Sequence, residues 1–122
     1  GPALCGHNVY TNYDRIEQVL VILLDNAYKF TPEGGTIEIM TALRASDVLV
    51  TVKDTGVGIS DTDLPFVFNR FYKSDKSRTK KGTGLGLSIA KEILQIMDEK
   101  ITVRSVKGEG SIFEFTVGIG LE

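Results

Sequence analysis

The stretch Asp54-Thr55-Gly56-Val57-Gly58-Ile59 decides how this chain is interpreted, together with a second glycine-rich string, Gly82-Thr83-Gly84-Leu85-Gly86-Leu87. Glycines let backbone N–H groups come close to phosphate oxygens. The second string leads into a helical pattern, whose N-terminus offers unpaired N–H groups and the positive end of a dipole. Asp54 ends an apolar strand pattern and adds an acceptor for an amino group such as that of adenine. The two strings therefore indicate a nucleotide site. Basic residues lie between them: Lys73, Lys76, Arg78, Lys80 and Lys81.

Composition indicates one small globular domain. The chain has 122 residues, of which 42% are hydrophobic and 25% charged, which is enough for one core. The net charge of -2 and the confinement of basic residues to one loop argue against a nucleic-acid partner. The single cysteine, Cys5, cannot form an internal disulfide, and no apolar stretch reaches membrane-spanning length. We expect a reduced, intracellular setting and a monomeric isolated domain.

Periodicity predicts the elements. Apolar residues at helical spacing predict one helix from Tyr13 to Phe30 and another after Leu85. Ser60 is a suitable N-cap for a shorter helix that ends near Phe68. The polar, basic stretch from Tyr72 to Lys81 predicts a loop. The order of elements predicts an α/β sandwich, with helices on one face of a mainly antiparallel or mixed sheet. Alternation predicts four strands: Thr36 to Leu43, Val48 to Val52, Ile101 to Val106 and Ile112 to Val117.

Common nucleotide motifs do not fit the two glycine strings. The last glycine of a dinucleotide-binding GxGxxG pattern would fall at Asp61 or Leu87. Neither string has the GxxxxGK[ST] form, and the HRD and DFG elements of eukaryotic-type protein kinases are missing. Types of ATP cradle other than these must therefore be considered.

The first predicted helix carries a second, polar face. Gln18, Ile22, Asn26 and Lys29 share this face, which is distinct from the apolar one. An amide oxygen can bind a magnesium ion, and an ammonium three residues further on can neutralise phosphate charge. Taken alone, such a face is more often simply solvated.

Four segments follow one another along the chain: Asp25 to Thr31, Asp54 to Ile59, Phe66 to Tyr72 and Gly82 to Leu87. They resemble, in this order, the N, G1, F and G2 boxes of bacterial sensor histidine kinases. The resemblance spans about Asp14 to Val117. It implies a catalytic domain that binds ATP and Mg2+ in a Bergerat fold, with a mixed, mainly antiparallel sheet covered on one face by three helices.

The resemblance also implies roles for residues. Asn26 is the expected magnesium ligand, and Lys29 and Lys73 are expected to contact phosphate as part of the catalytic set. Asp54 is expected to accept a hydrogen bond from the adenine amino group. The other nucleotide-binding residues implied are Phe30, Gly56, Gly58, Ile59, Thr83, Gly84, Leu85, Gly86 and Leu87.

Three positions depart from the family pattern. Ile22 stands where many members have an asparagine, and isoleucine can neither bind a metal nor orient a nucleophile. Lys73 stands where many have an arginine, so a point charge replaces a bidentate fork. The turn from Met97 to Lys100 replaces a Gly-Gly turn and is expected to be strained.

Partners and context follow from the same resemblance. The only histidine, His7, lies outside any acceptor-like pattern, so the acceptor histidine is expected on a separate dimerisation domain. A response regulator would act downstream, the full-length protein would be a homodimer, and the domain would be cytoplasmic in a protein anchored in the plasma membrane.

We expect the chain to be a piece of a longer protein. Gly1-Pro2 resembles the remnant of a removed tag. Residues 1–12 are expected to form an N-terminal segment or first strand, residues 13–118 the catalytic domain and residues 119–122 a tail. Two other functions stay open: an ATP-binding pseudokinase module that transfers nothing, and a serine-directed kinase resembling anti-sigma factors.

Overall fold

A four-stranded antiparallel sheet and two α-helices make up the described fold. The computed structural model describes residues 2–70, 72 and 85–118, and residues 2–12 by their backbone alone. The strands lie in the order β1-β2-β4-β3, and every neighbouring pair is antiparallel. This confirms the predicted class of helices on a mainly antiparallel sheet. The elements are α1 (Pro2–Phe30), β1 (Ile37–Leu43), β2 (Asp47–Asp54), a 3-10 turn (Leu64–Phe66), α2 (Gly86–Ile96), β3 (Ile101–Val106) and β4 (Gly110–Gly118).

Two helices differ from the sequence prediction. Within the described residues the sheet is covered by two α-helices rather than three, because the segment after Ser60 forms only a 3-10 turn. The Ser60 hydroxyl donates to the Asp63 side chain at 3.0 Å instead of capping the backbone, and Pro65 has no N–H with which to extend an α-helix. The first helix begins at Pro2 rather than Tyr13, so residues 2–12 contain no strand. The domain boundaries remain predictions, and the predicted loop to Lys81 lies outside the described residues except for Tyr72.

The core lies between the helices and the inner face of the sheet. Two apolar rows cross neighbouring strands there: Val103, Phe113 and Val52 in one, and Ile101, Phe115 and Val50 in the next. Full burial of such side chains contributes about 1.5–3 kcal/mol each. The helices cover both rows with side chains that are at most 2% exposed: Val19, Leu23, Ala27, Ala90 and Leu94.

The third inner-face row of the sheet is polar. Asp54 of β2 pairs with Ser111 of β4, and Ser111 pairs with Ser105 of β3. Asp54 and Ser111 are 5% and 6% exposed. Because buried polar groups need partners, this polar row marks one end of the sheet as the place to look for a site.

The turn after α2 carries the expected strain. Asp98 has φ of +60°, a region that side chains other than glycine adopt at a cost. Its N–H donates to the carbonyl of Gln95 at 3.0 Å, and the N–H of Glu99 donates to the carbonyl of Leu94 at 2.7 Å. These two bonds form a Schellman motif, in which glycine usually takes the position of Asp98.

Candidate functional site

Asp54 is the most buried carboxylate at the polar end of the described sheet. Its Oδ1 accepts hydrogen bonds from the backbone N–H of Gly56 at 2.8 Å and of Ser111 at 3.3 Å. Among the described residues no group donates to Oδ2. Burial raises the pKa of Asp54, and the two N–H bonds work against that rise. The arrangement fixes one oxygen and leaves the other as an acceptor.

The loop of residues 54–59, here called the glycine loop, is pressed against backbone on two sides. A Cβ at Gly56 would lie 2.3 Å from the carbonyl oxygen of Phe30, at the end of α1. Gly58 has φ of +73°, and a Cβ there would lie 2.2 Å from the carbonyl oxygen of Val106. Both glycines are therefore required by close backbone approach, and additional space at them for a base remains a prediction.

The β3–β4 hairpin also contacts the glycine loop; the sequence analysis predicted its two strands but missed this contact. The N–H of Gly108 donates to the carbonyl of Val57 at 2.7 Å. A Cβ at Gly110, where φ is +137°, would lie 2.0 Å from the carbonyl oxygen of Asp54. One sequence signal was available: Ser105 and Ser111 continue inward-facing strand positions that otherwise carry apolar residues.

Asn26 and Lys29 lie on one flank of α1, and both are partly buried. Lys29 Nζ lies 3.0 Å from Asp25 Oδ2, an exposed pair of the kind that contributes little to stability and can be given up to a phosphate. The Asn26 side chain makes no hydrogen bond to any described residue. Its amide is thus available to a ligand.

The N-terminus of α2 packs on the same flank of α1. A Cβ at Gly86 would lie 3.4 Å from Cγ2 of Ile22, so the first turn of α2 lies against the helix that carries Asn26. Leu85 occupies the N-cap without a side-chain hydrogen bond to the helix. The structure therefore brings the start of α2 to the flank of α1, and Ile22 contributes packing there.

The remaining predicted residues divide into placed and unplaced ones. Ile59 packs against the core, and its N–H donates to Ser105 Oγ at 2.7 Å. Phe30 is partly buried and accepts a hydrogen bond from the N–H of Val57 at 3.0 Å. The predictions for Lys73, Thr83 and Gly84 fall outside the described residues.

No helix in the described part of the chain is long and apolar enough to cross a bilayer.

Comparison with known proteins agrees with this geometry. A family model described as "Histidine kinase-, DNA gyrase B-, and HSP90-like ATPase" matches residues 11–120. The sensor histidine kinase WalK of Bacillus subtilis is 42% identical over 113 residues, covering 89% of this chain and 18% of WalK. The catalytic domain of histidine kinase ThkA superposes with a TM-score of 0.73 and 33% identity, over 86% of this chain and 67% of that one. Full-length ShkA, solved in complex with AMPPNP, superposes with a TM-score of 0.74 and 30% identity, over 84% of this chain and 21% of ShkA.

These matches define the class. The chain belongs to the histidine kinase-, gyrase B- and HSP90-like ATPase family, and its fold is the Bergerat fold predicted from the four boxes. Within that family it is related to the catalytic, ATP-binding domains of sensor histidine kinases. The chain spans about a quarter or less of the length of relatives such as WalK and CiaH of Streptococcus pneumoniae.

Proposed function

We propose that this domain binds Mg-ATP and donates the γ-phosphate to a histidine on a separate dimerisation domain, as a step of two-component signal transduction. The observation that carries the proposal is the carboxylate of Asp54, which is buried and held through one oxygen while the other is left as an acceptor. The complex of its structural relative ShkA with AMPPNP supports an adenine nucleotide as the ligand.

The base is recognised at the glycine loop. The free oxygen of Asp54 accepts a hydrogen bond from the adenine amino group, and Phe30 and Ile59 form walls beside the ring. A buried acceptor left without its donor is costly, so a base that lacks the amino group is disfavoured. The carboxylate thereby selects adenine.

A magnesium ion fits the donor set of α1. The amide oxygen of Asn26 is a hard ligand, and magnesium usually keeps several waters and takes few protein ligands beside phosphate oxygens. The described residues contain no cluster of three His, Cys, Asp or Glu side chains that could hold the ion alone, which agrees with a site shared with the nucleotide. When bound, the ion neutralises charge on the phosphates, and Lys29 and Lys73 add positive charge there.

Positioning is the main catalytic contribution of the domain. The segment from Thr83 to Leu87 would contribute to phosphate binding at the N-terminus of α2, where unpaired N–H groups favour anions. The imidazole of the separate domain then attacks the γ-phosphorus in line and ADP leaves. We further propose that a response regulator receives the phosphoryl group. The parent protein would be a homodimer whose catalytic domains are cytoplasmic and anchored at the plasma membrane.

One variant tests the base-binding half of the proposal. Asp54→Ala is expected to weaken ADP binding, measured by calorimetry, by about 2 kcal/mol or more, because the buried amino group loses its acceptor. Asp61→Ala, which removes an exposed carboxylate in the next segment, is the matched control and should bind as the wild type does. Unchanged ADP affinity in Asp54→Ala would reject the base assignment.

Phosphotransfer distinguishes this proposal from its alternatives. Full-length protein given γ-labelled ATP and magnesium should label a histidine, and Asn26→Ala should abolish the labelling. The apolar Ile22 beside Asn26 favours the second candidate, a pseudokinase, since no polar group stands there to orient a nucleophile. Tight ATP binding with no labelled histidine would establish that candidate, and label on a serine of a partner protein would indicate the anti-sigma type.

A further inference from the structure

Ser105 lies at the junction of three parts of the site. It stands on the inner face of β3, directly opposite Ser111 of β4, and its hydroxyl is partly buried. Its Oγ lies 2.7 Å from the backbone nitrogen of Ile59, 2.9 Å from the carbonyl oxygen of Gly110 and 2.8 Å from Ser111 Oγ. One side chain therefore joins the glycine loop to both strands of the hairpin.

The hydrogen-bonding capacity of Ser105 is fully used. A serine hydroxyl has one hydrogen and two lone pairs. All three contacts are satisfied when Ser105 donates to the carbonyl of Gly110 and accepts from Ile59 N–H and from the Ser111 hydroxyl. In that arrangement the Ser111 side chain is directed towards Ser105, while its backbone N–H donates to Asp54 Oδ1 at 3.3 Å.

These bonds close a ring around the glycine loop. The ring runs from Asp54 through Ser111 and Ser105 to Ile59, and the loop itself leads back to Asp54. One end of the loop is thus fixed on β4, at Ser111, and the other on β3, at Ser105. Without the Ser105 hydroxyl, the N–H of Ile59 and the hydroxyl of Ser111 would lose their partner. Asp54 would keep its bond to the backbone N–H of Ser111, but the glycine loop, which supplies its other donor at Gly56, would lose its side-chain bond to β3 at Ile59.

We infer that Ser105 is a positioning residue for base selection, which holds the carboxylate of Asp54 and the end of the glycine loop in the orientation that distinguishes an amino group from a carbonyl group on the purine. This inference rests on the proposed function, because it assumes that Asp54 binds the base. Ser105 acts through Ser111 and Ile59 and need not touch the nucleotide.

The test compares ADP with inosine diphosphate, in which a carbonyl replaces the amino group of the base. Wild-type domain should prefer ADP, because a carboxylate repels a carbonyl oxygen. Ser105→Ala should lower that preference by about tenfold, because a carboxylate with more freedom can turn away from the carbonyl. Thr102→Ala, on the exposed face of the same strand, is the control and should keep the wild-type preference. Ser105→Thr, which retains a hydroxyl, should restore it.

Calorimetry of both nucleotides gives an outcome for each possibility. If Ser105→Ala weakens both nucleotides equally and leaves the preference unchanged, Ser105 is only a structural support and the inference is wrong. If Ser105→Ala does not fold, Ser105→Cys is measured instead, since its thiol has similar size but is a weak hydrogen-bonding group: a lowered preference supports the inference, and an unchanged one overturns it. A wild-type domain that binds neither nucleotide would overturn the proposed function itself, together with this inference.

Discussion

Replacement of Asp54 by asparagine should separate the binding role of this residue from its effect on folding. The amide keeps an oxygen that can accept from Gly56 and Ser111, the two N–H groups that lie 2.8 and 3.3 Å from Oδ1. The second oxygen, however, becomes an NH2 donor that faces the donor of adenine. We therefore expect a variant that folds normally and binds ADP poorly.

The size of the binding loss follows from burial. Asp54 is 5% exposed, and a bound adenine would cover the second oxygen, so water could not replace the lost acceptor in the complex. A hydrogen bond to a charged group contributes about 1.5–3 kcal/mol. This corresponds to ADP binding roughly ten- to a hundredfold weaker than in the wild type. Calorimetry at neutral pH measures it. An Asp54→Asn domain that binds ADP within threefold of the wild type would contradict the assignment.

Although Asp54→Asn should weaken ADP binding, it should raise the folding stability of the domain. Burial raises the pKa of Asp54 above its unfolded value, so between the two values the folded state binds more protons than the unfolded state. The contribution of Asp54 therefore falls as pH rises through this window and is constant above it. Asp54→Asn removes this penalty, so the variant should be more stable than the wild type at neutral pH, and the gap should shrink in acid. Thermal melts across pH measure the difference, and a variant less stable than wild type at neutral pH would refute the reasoning.

Three further predictions concern the turn, the hairpin and the flank of α1. Asp98→Gly should raise the free energy of unfolding by about 1 kcal/mol, because glycine adopts a φ of +60° without strain and removes a negative charge from a helix C-terminus; equal or lower stability in denaturant titrations would disprove this. Gly110→Ala should lower the free energy of unfolding by about 3 kcal/mol or more, since the new Cβ would lie 2.0 Å from a carbonyl oxygen. Gly108→Ala should lower it by only about 1 kcal/mol, because Gly108 has a positive φ but open space around it. Similar losses in the two variants would contradict this prediction, since the close contact at Gly110 would then have been relieved. Ile22→Asn should preserve or increase histidine phosphorylation in the full-length protein, and if the wild type is inactive while this variant is active, the pseudokinase alternative replaces the kinase.

The strands and main helix faces were predictable because each follows from local periodicity. Strand β3 was predicted at its observed bounds, and the prediction for β1 began at Thr36, one residue before the observed start at Ile37. The prediction of an α-helix after Ser60 was wrong because Pro65 lacks the N–H needed to continue the helical hydrogen bonds that an N-cap at Ser60 would begin. Local signals cannot show which distant segments meet.

The site was therefore only partly predictable. The glycines and the carboxylate of Asp54 predict a nucleotide-binding loop from sequence alone, since their chemistry is concentrated within six residues. The contribution of Ser105 and Ser111 was missed because a serine in a strand usually indicates a solvated position. Their partners are also distant in sequence: Asp54 lies 57 residues before Ser111, and Ile59 lies 46 residues before Ser105. The nucleotide- and metal-binding roles of all the predicted site residues remain predictions, and Lys73 and Thr83 lie outside the described residues.

The order of the strands has a consequence for synthesis of the protein. Strand β4 comes last along the chain but lies in the interior of the sheet, between β2 and β3. Asp54 is synthesised 57 residues before Ser111, one of the two residues whose N–H groups donate to it. In a nascent chain that ends before Gly110, one edge of β2 is unpaired and Asp54 lacks the hydrogen bond from Ser111. Such a chain would not bind a nucleotide as the complete domain is proposed to do. If the domain binds ATP as proposed, ATP would stabilise only those chains in which β4 has already been made.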